Sequence, residues 1–169
     1  TYKEIEILTK GLEKYPNSPD LKIALAFSLS MVNRISENEN EQNNAIEKAI
    51  KLCTEVIDTC GDINYVDNAL NMLTRIYGET GEHAKALDTV KKISADNYFF
   101  RIVGIATTYG YAHNDAALMR FVEQNLFHCW LAADLNLQVL TSRLTEMGRY
   151  SESVEFGKLH LKLLSVFDD

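Results

Sequence analysis

The chain has 169 residues, of which 46% are hydrophobic, and it carries a formal net charge of -7. This length and composition suffice for a folded core, whereas the acidic balance argues against direct nucleic-acid contact, because such a surface repels phosphate groups. With 2 Pro and 8 Gly, the composition favours helices over a turn-rich sheet protein.

The apolar segments and the cysteines indicate the compartment. The longest apolar run, IALAFSLSMV, starts at Ile23 and is about half as long as a membrane span. The three cysteines, at positions 53, 60 and 129, show no CxxC pair and no zinc-ligand spacing, which favours free, buried thiols in a reducing compartment. We therefore expect a cytoplasmic protein with no membrane contact, no metal and no other cofactor.

Apolar residues recur at steps of three and four through most of the chain, which is the period of an amphipathic helix. Polar or proline-containing stretches interrupt this period at YPNSPD (15–20), at SENENEQNN (36–44), predicted as an exposed loop, and at CGDIN (60–64). The pattern predicts nine helices, at 2–14, 19–33, 43–58, 63–79, 82–94, 97–110, 114–126, 130–147 and 149–166.

One inter-helix turn occurs twice in the sequence. TRIYGETGEHAKAL (74–87) and TSRLTEMGRYSESV (141–154) are 67 residues apart, and in both a glycine, Gly81 or Gly148, precedes a small residue, Ala86 or Ser153, by five positions. Glycine just past a helix end is typical of a left-handed C-cap. A third, degenerate copy lies between them, with His113 where the other two have glycine.

The anchor positions of the second helices, three small residues and Leu118, recur with a regular period. Ala49, Ala86, Leu118 and Ser153 are spaced by 37, 32 and 35 residues, close to the repeat of about 34 residues in helix–turn–helix arrays. Small side chains let antiparallel helices approach closely, and stacked pairs bury apolar faces that a single pair leaves open. The pattern predicts an all-α, right-handed solenoid of about nine antiparallel helices, an unpaired helix followed by four pairs. The first pair has eleven more residues between its helices than the repeat requires, and the polar stretch 36–44 is predicted to accommodate them as a loop.

Over essentially the whole chain these spacings resemble the tetratricopeptide repeat (TPR) family. The four copies fall at about 19–58, 63–95, 97–127 and 130–166 of a single domain, 1–169. Each copy is degenerate, since the first helix lacks the family's Trp and the Gly beside its Leu. An α-helical bundle whose short turns mimic the period is the alternative fold.

Three longer segments, LEKYPNSPDLKIALAFSLS, NNAIEKAIKLCTEVIDTCGD and YGETGEHAKALDTVKKI, resemble the repeat region of Cro/CI-type helix-turn-helix regulators (XRE family) from Gram-positive bacteria. The resemblance implies a sensor and dimerisation region, with a possible homodimer, downstream of a DNA-binding domain absent from this chain. Because helix 2–14 has no predicted partner and SVFDD (165–169) provides no capping helix, we expect a fragment of a longer protein. A constitutive scaffold for protein assembly, unrelated to transcription, is the alternative function.

The first helices of the repeats are expected to line a concave, ligand-binding face. Asn68, Asn71 and Arg75 lie at i, i+3 and i+7, opposite the apolar stripe of the fourth helix, and Gln138 and Ser142 hold corresponding positions on the eighth. Asn can bind the backbone of an extended peptide, and Arg can bind a carboxylate with two hydrogen bonds. The alternative is that these side chains are simply solvated. Corresponding positions elsewhere are Ile23, Phe27, Val103 and Thr107.

The sequence contains none of the motifs on which common enzyme mechanisms depend. It has no glycine-rich phosphate loop, no GxSxG nucleophile turn and no HExxH pair. The clustered glutamates of 37–41 fall in a stretch predicted to be a loop, which cannot hold two carboxylates in place for acid–base work. The prediction is therefore a non-enzymatic module that binds a peptide or protein.

Overall fold

The structure, a computed structural model, describes the backbone of residues 1–164 and the side chains as far as residue 162. Within this part the chain is all-helical, without a β-strand, and forms two compact units, one of Thr1–Leu118 and one beginning at Met119. The α-helices are α1 (Tyr2–Lys14), α2 (Pro19–Ile35), α3 (Glu39–Thr59), α4 (Ile63–Glu79), α5 (His83–Val90), α6 (Tyr98–Tyr111), α7 (Asp115–Glu146) and α8 (Tyr150–Leu164). A 3₁₀ turn, Ala95–Asn97, precedes α6.

Polar N-cap side chains mark where α2 and α4 begin. The Ser18 hydroxyl accepts from the Leu21 amide ahead of Pro19, and the Asp62 carboxylate accepts from the Asn64 amide at the start of α4. Such caps satisfy amides that have no partner inside the helix. These two starts agree with the sequence-based boundaries.

Three predicted boundaries were wrong, one of them the end of the fifth helix, which stops at Val90 and not at residue 94. The stretch 36–44 was predicted as a loop, but α3 begins at Glu39 because the Asn38 side chain accepts from the amides of Asn40 and Glu41. The predicted seventh and eighth helices form one helix of 32 residues, so the described part has eight α-helices and not nine. No Gly or Pro interrupts 115–146, so nothing in that stretch stops helix propagation. SVFDD lies outside the described residues.

The repeated turn is confirmed, including its degenerate copy. Gly81, His113 and Gly148 have φ of 82°, 50° and 72°. In each turn the next amide bonds the carbonyl five residues earlier, at 2.8, 3.1 and 2.9 Å, which is the 6→1 bond of a Schellman cap. His113 therefore adopts the conformation that glycine adopts in the other two copies.

The core of the first unit is built where small residues let helices approach. Ala26, Ala49 and Ala86 are fully buried, as the repeat spacing predicts. The larger side chains of α2, α3 and α4 pack around Ala26 and Ala49. At α6 the closest approach is at Gly104, where a Cβ would lie 2.6 Å from Cγ2 of Val90. Helix α4 occupies the centre, since it packs against α2, α3, α5 and α6.

Helices α2 and α4 lie side by side and parallel. Three pairs join them, Asp20 with Tyr65, Ser30 with Arg75 and Arg34 with Glu79, and each pair is separated by 45 residues in sequence. A constant separation between contacting residues requires that both helices run in the same direction in a fixed register. Helix α4 meets α6 as well, through Tyr111, whose hydroxyl donates to Oε1 of Glu79 over 3.0 Å.

The second unit holds the greater part of α7, together with α8. The Ser153 hydroxyl bonds the Thr141 carbonyl over 3.1 Å and the Thr145 hydroxyl over 2.8 Å. The buried Asp134 carboxylate is held by His160 of α8 at 2.5 Å. Ser153, the small residue of this repeat copy, therefore lies at the contact between the two helices, as its spacing predicts.

We predict that Gly81→Ala lowers the free energy of unfolding by about 1 kcal/mol, because a Cβ is strained at positive φ. Urea denaturation followed by circular dichroism measures the change. Gly61→Ala is the matched control, since Gly61 has no positive φ and a Cβ added there would meet nothing within 4 Å. Equal midpoints for the two variants would contradict the role of Gly81 in the cap.

Candidate functional site

A small cavity lies between α4 and α6, at the positions predicted to line the ligand-binding face. It has a volume of about 110 Å³, and four of its lining residues are Asn71, Arg75, Val103 and Thr107. Thr74 and Gly104 complete the wall. The structure thus brings together two of the three residues proposed on the fourth helix with both of the corresponding positions on the sixth.

Arg75 extends from this cavity towards α2. Its guanidinium carbon lies 4.8 Å from the centre of the Phe27 ring, and its Nη2 donates to the Ser30 hydroxyl over 2.7 Å. The Arg75 side chain keeps 29% of its exposure, and Phe27 is 43% exposed. Phe27, the position on α2 that corresponds to Arg75 in the repeat, therefore provides an aromatic platform on which the cation rests.

A buried carboxylate lies behind Arg75. Glu79 follows one turn later on α4, its side chain is 6% exposed, and its Oε1 lies 3.5 Å from Nε of Arg75. The same oxygen accepts from Nη2 of Arg34 over 2.5 Å and from the Tyr111 hydroxyl over 3.0 Å. The other carboxylate oxygen, Oε2, is buried and has no hydrogen-bond partner among the described residues. One glutamate is thus shared by α2, α4 and α6.

Burial and the nearby Glu79 carboxylate raise the pKa of Tyr111 above its ordinary value, so its hydroxyl remains a donor at neutral pH. The hydrogen bond and the charge of Glu79 likewise raise the pKa of the Arg34 guanidinium. The cluster therefore holds two cations and one anion, and it presents a net positive charge on a protein that is otherwise acidic.

The third residue proposed on α4 lies outside the cavity wall. Asn68 is exposed, one turn closer to the start of the helix, and its side-chain amide donates to the Asn64 carbonyl over 2.9 Å. Asn68 thus shares the helix face of Asn71 and Arg75 without lining the cavity.

Gln138 and Ser142 lie in the second unit, on an exposed face of α7. The Gln138 amide donates to Oδ2 of Asp134 over 2.9 Å, and both residues line a shallow surface formed by that one helix. Leu131 and Leu135 precede them on the same face, 37% and 52% exposed. These two sequence-predicted residues therefore belong to a partly apolar helix surface.

Among the larger cavities of the described chain, two, of about 430 and 320 Å³, adjoin α1 and α3 above Leu29 of α2, and one of about 570 Å³ lies at the start of α2 and the end of α3. Several of their polar side chains are engaged in the local fold. The Asn38 side chain caps α3, Glu41 accepts from the Ser36 hydroxyl over 2.5 Å, and Glu55 pairs with Lys22 at 2.9 Å. The cavity between α4 and α6, with its partly exposed guanidinium, has the better defined polar chemistry.

The sequence pattern did not predict four residues of this site, which are Ser30, Arg34, Glu79 and Tyr111. A local signal existed for Glu79 alone, because it follows Arg75 at i+4, the spacing of a helical ion pair. The other three come from α2 and α6, 32 to 77 residues away from their partners. Only the packing of the helices brings them together.

The cysteines differ in their surroundings. Cys53 is buried, and its burial raises the pKa of the thiol to about 12, whereas Cys60 is half-buried and Cys129 is exposed. The expectation that all three are buried was therefore wrong for Cys129. Within the described residues, no three His, Cys, Asp or Glu side chains cluster as a metal site, and none of the helices has the length and apolar character needed to cross a bilayer.

Asp67 of α4 keeps α6 in position beside the cavity. This buried carboxylate accepts from the amide of Ser94 over 2.9 Å, from the Ser94 hydroxyl over 2.6 Å and from the side-chain amide of Asn97, the N-cap of α6. Burial alone raises the pKa of Asp67, but the hydrogen bonds from Ser94 and Asn97 outweigh it, so the pKa lies below its ordinary 3.8.

Comparison of the chain with models of known protein families, with curated proteins and with solved structures finds no match in any of the three.

We predict that Asp67→Asn destabilises the protein by about 1 to 3 kcal/mol at pH 7, because an amide group would face donors that now bind a carboxylate. Since folding lowers the pKa of Asp67, its contribution is complete well above pH 3.8 and is lost as pH falls through the folded-state value. The difference between wild type and variant should therefore narrow below about pH 4.

Urea denaturation at pH 7, 5, 3.5 and 2.5 measures this difference. Asp88→Asn is the matched control, because Asp88 is exposed and its ion pair within the described residues is with Lys91. A difference between wild type and Asp67→Asn that stays constant down to pH 2.5 would show that the Asp67 charge contributes nothing.

Proposed function

We propose that this chain is a non-enzymatic, TPR-like module that binds an extended peptide or a protein segment across α2, α4 and α6. The observation that carries the proposal is that Phe27 and Thr107, which correspond to Arg75 in the repeat, lie beside it on the neighbouring helices, with Asn71 one turn before Arg75 on α4. Binding residues gathered from successive repeats are what a stacked array offers a linear ligand.

The dimensions of the site favour a peptide over a compact small molecule. Sites for drug-sized ligands are typically cavities of about 300 Å³ or more. The cavity between α4 and α6, at about 110 Å³, is much smaller and suits one side chain of a longer ligand. Beside it, Val103 is 42% exposed and offers an apolar contact, while Asn71 and Thr107 offer hydrogen bonds.

The chemistry of Arg75 favours a ligand that carries a carboxylate. Its five N–H groups make a single hydrogen bond within the described residues, to Ser30, so donors remain for an acceptor. Guanidinium binds carboxylates with two parallel hydrogen bonds, and the Phe27 ring provides a surface against which the cation lies. A peptide C-terminus or an acidic side chain is the group that this arrangement suits.

We propose that the helix pairs stack as a right-handed solenoid. The parallel register of α2 with α4, and the packing of each against the helix that follows it, support stacked pairs in the first unit. The recurrence of one cap at Gly81, His113 and Gly148 supports a repeat as its origin.

We further propose that the module is the sensor and dimerisation region of a bacterial transcription regulator whose DNA-binding domain lies outside this chain. A ligand bound across α2, α4 and α6 would change the equilibrium between two curvatures, provided that it binds one of them more tightly. The exposed Phe127, Leu131 and Leu135 of α7 support contact with a second copy. A constitutive scaffold would bind its ligand across the same three helices without changing between two curvatures.

Peptide binding tests the proposed site. We expect affinity selection from a pool of random seven-residue peptides to yield ligands whose affinity falls about 10-fold or more in Arg75→Ala and about 3-fold or more in Asn71→Ala. Fluorescence polarisation measures both values. Arg149→Ala and Asn43→Ala are the matched controls, since both side chains are exposed and lie outside the cavity wall. Unchanged affinity in both groove variants would refute the assignment.

Two separate expectations follow from the regulator proposal. The coding sequence upstream of Thr1 should encode a helix-turn-helix domain, and sedimentation velocity of the present chain should show a dimer that Leu135→Asp dissociates. If the upstream sequence encodes no such domain, the regulator function is wrong and the constitutive scaffold is the function that remains.

A further inference from the structure

Glu79 is the feature of the site that peptide binding alone does not explain. Its carboxylate is buried beside the cation to which we assign ligand binding, and one of its oxygens has no hydrogen-bond partner in the described part of the chain. A buried charge that is only partly paired is costly, and a neutral side chain of similar size would fill the same space. Its charge therefore requires an explanation.

The contacts of Glu79 are unequal. Its Oε1 makes hydrogen bonds to Arg34, at 2.5 Å, and to Tyr111, at 3.0 Å, whereas Nε of Arg75 is 3.5 Å away and makes no hydrogen bond. Arg34 and Tyr111 thus draw the carboxylate away from Arg75. The remaining Arg75–Glu79 attraction is an ion pair without a hydrogen bond, which is the weaker kind of contact.

We propose that Glu79 is an internal competitor for the carboxylate-binding cation Arg75, and that Arg34 and Tyr111 determine how strongly it competes. The proposal rests on the proposed function, because it assumes that Arg75 binds a ligand carboxylate. With Arg34 and Tyr111 in place, Glu79 is held and Arg75 is accessible to the ligand. Without them, Glu79 is free to bind Arg75 fully and to repel an incoming carboxylate.

This arrangement makes the site selective for ligands that place a carboxylate at Arg75 and also make further contacts nearby. A ligand carboxylate bound to Arg75 adds a second negative charge close to Glu79, so only a ligand with additional contacts, at Asn71 or Thr107, offsets the repulsion. Arg34, Glu79 and Tyr111 come from three helices, so the same exchange of partners links ligand binding to the contacts between α2, α4 and α6.

The test compares two peptide pools on the immobilised 169-residue chain. Both consist of random N-acetylated seven-residue peptides made without Asp and Glu, one with a free C-terminal carboxylate and one with a C-terminal amide. The measured quantity is the ratio of carboxylate to amide peptides retained. We expect Glu79→Gln, which keeps the volume and an acceptor oxygen, to raise this ratio about 10-fold, equivalent to about 1.4 kcal/mol.

Arg34→Gln should change the ratio in the opposite sense, lowering it about 3-fold or more because Glu79 is released towards Arg75. Tyr111→Phe, which changes no charge at neutral pH, should also lower it. In the Glu79→Gln background neither substitution should have an effect, which separates action through Glu79 from direct attraction between Arg34 and the ligand. Arg34 is 49% exposed, so this variant is expected to fold even if Glu79→Gln does not.

The outcomes distinguish the two proposals. If wild type retains no excess of carboxylate peptides, or if Arg75→Ala leaves the excess unchanged, the carboxylate-binding function of Arg75 is wrong. If the excess depends on Arg75 but Glu79→Gln fails to raise it, or if Arg34→Gln and Tyr111→Phe act equally in both backgrounds, Glu79 is a structural residue and the internal competition is refuted.

Discussion

The first unit depends on the burial of α4 among its neighbours. This helix packs against α2, α3, α5 and α6, and Ala69, Leu73 and Ile76 lie on its buried face. An amphipathic helix pair cannot cover its own apolar surface, so each pair is stable only when the next one packs against it. The same packing sets α2, α4 and α6 side by side, and every contact of the proposed site follows from that arrangement.

Burial also explains why the polar groups of α4 have the partners they have. Asp67 and Glu79 lie on the two ends of one helix, and both carboxylates are largely removed from water. Asp67 has neutral donors that satisfy it fully, which suits a structural role in holding the start of α6. Glu79 is paired with two cations and keeps an unsatisfied oxygen, which suits a group whose partners can exchange.

Local chemistry made much of the helical pattern predictable. The helix starts at residues 19 and 63, where Ser18 and Asp62 provide the caps, and the positive-φ turns at Gly81 and Gly148 are determined by residues within a few positions of one another. The structure confirms both starts and both turns. The errors have the same local origin. The N-cap Asn38 was not recognised, because it lies in a uniformly polar stretch that was predicted as a loop. The predicted break near residue 128 came from the repeat period, although no Gly or Pro lies there to end the helix.

The sequence by itself therefore determined the all-helical class and the repeated turn, and it predicted Phe27, Arg75 and Thr107 as equivalent positions of successive repeats, because these depend on periodicity and on residue types at fixed short spacings. Only the tertiary structure decided that Arg75 lies over Phe27 and shares Glu79 with Arg34 and Tyr111. Those contacts join residues far apart in the chain, and the register between packed helices that creates them is set by side-chain volume and close approach.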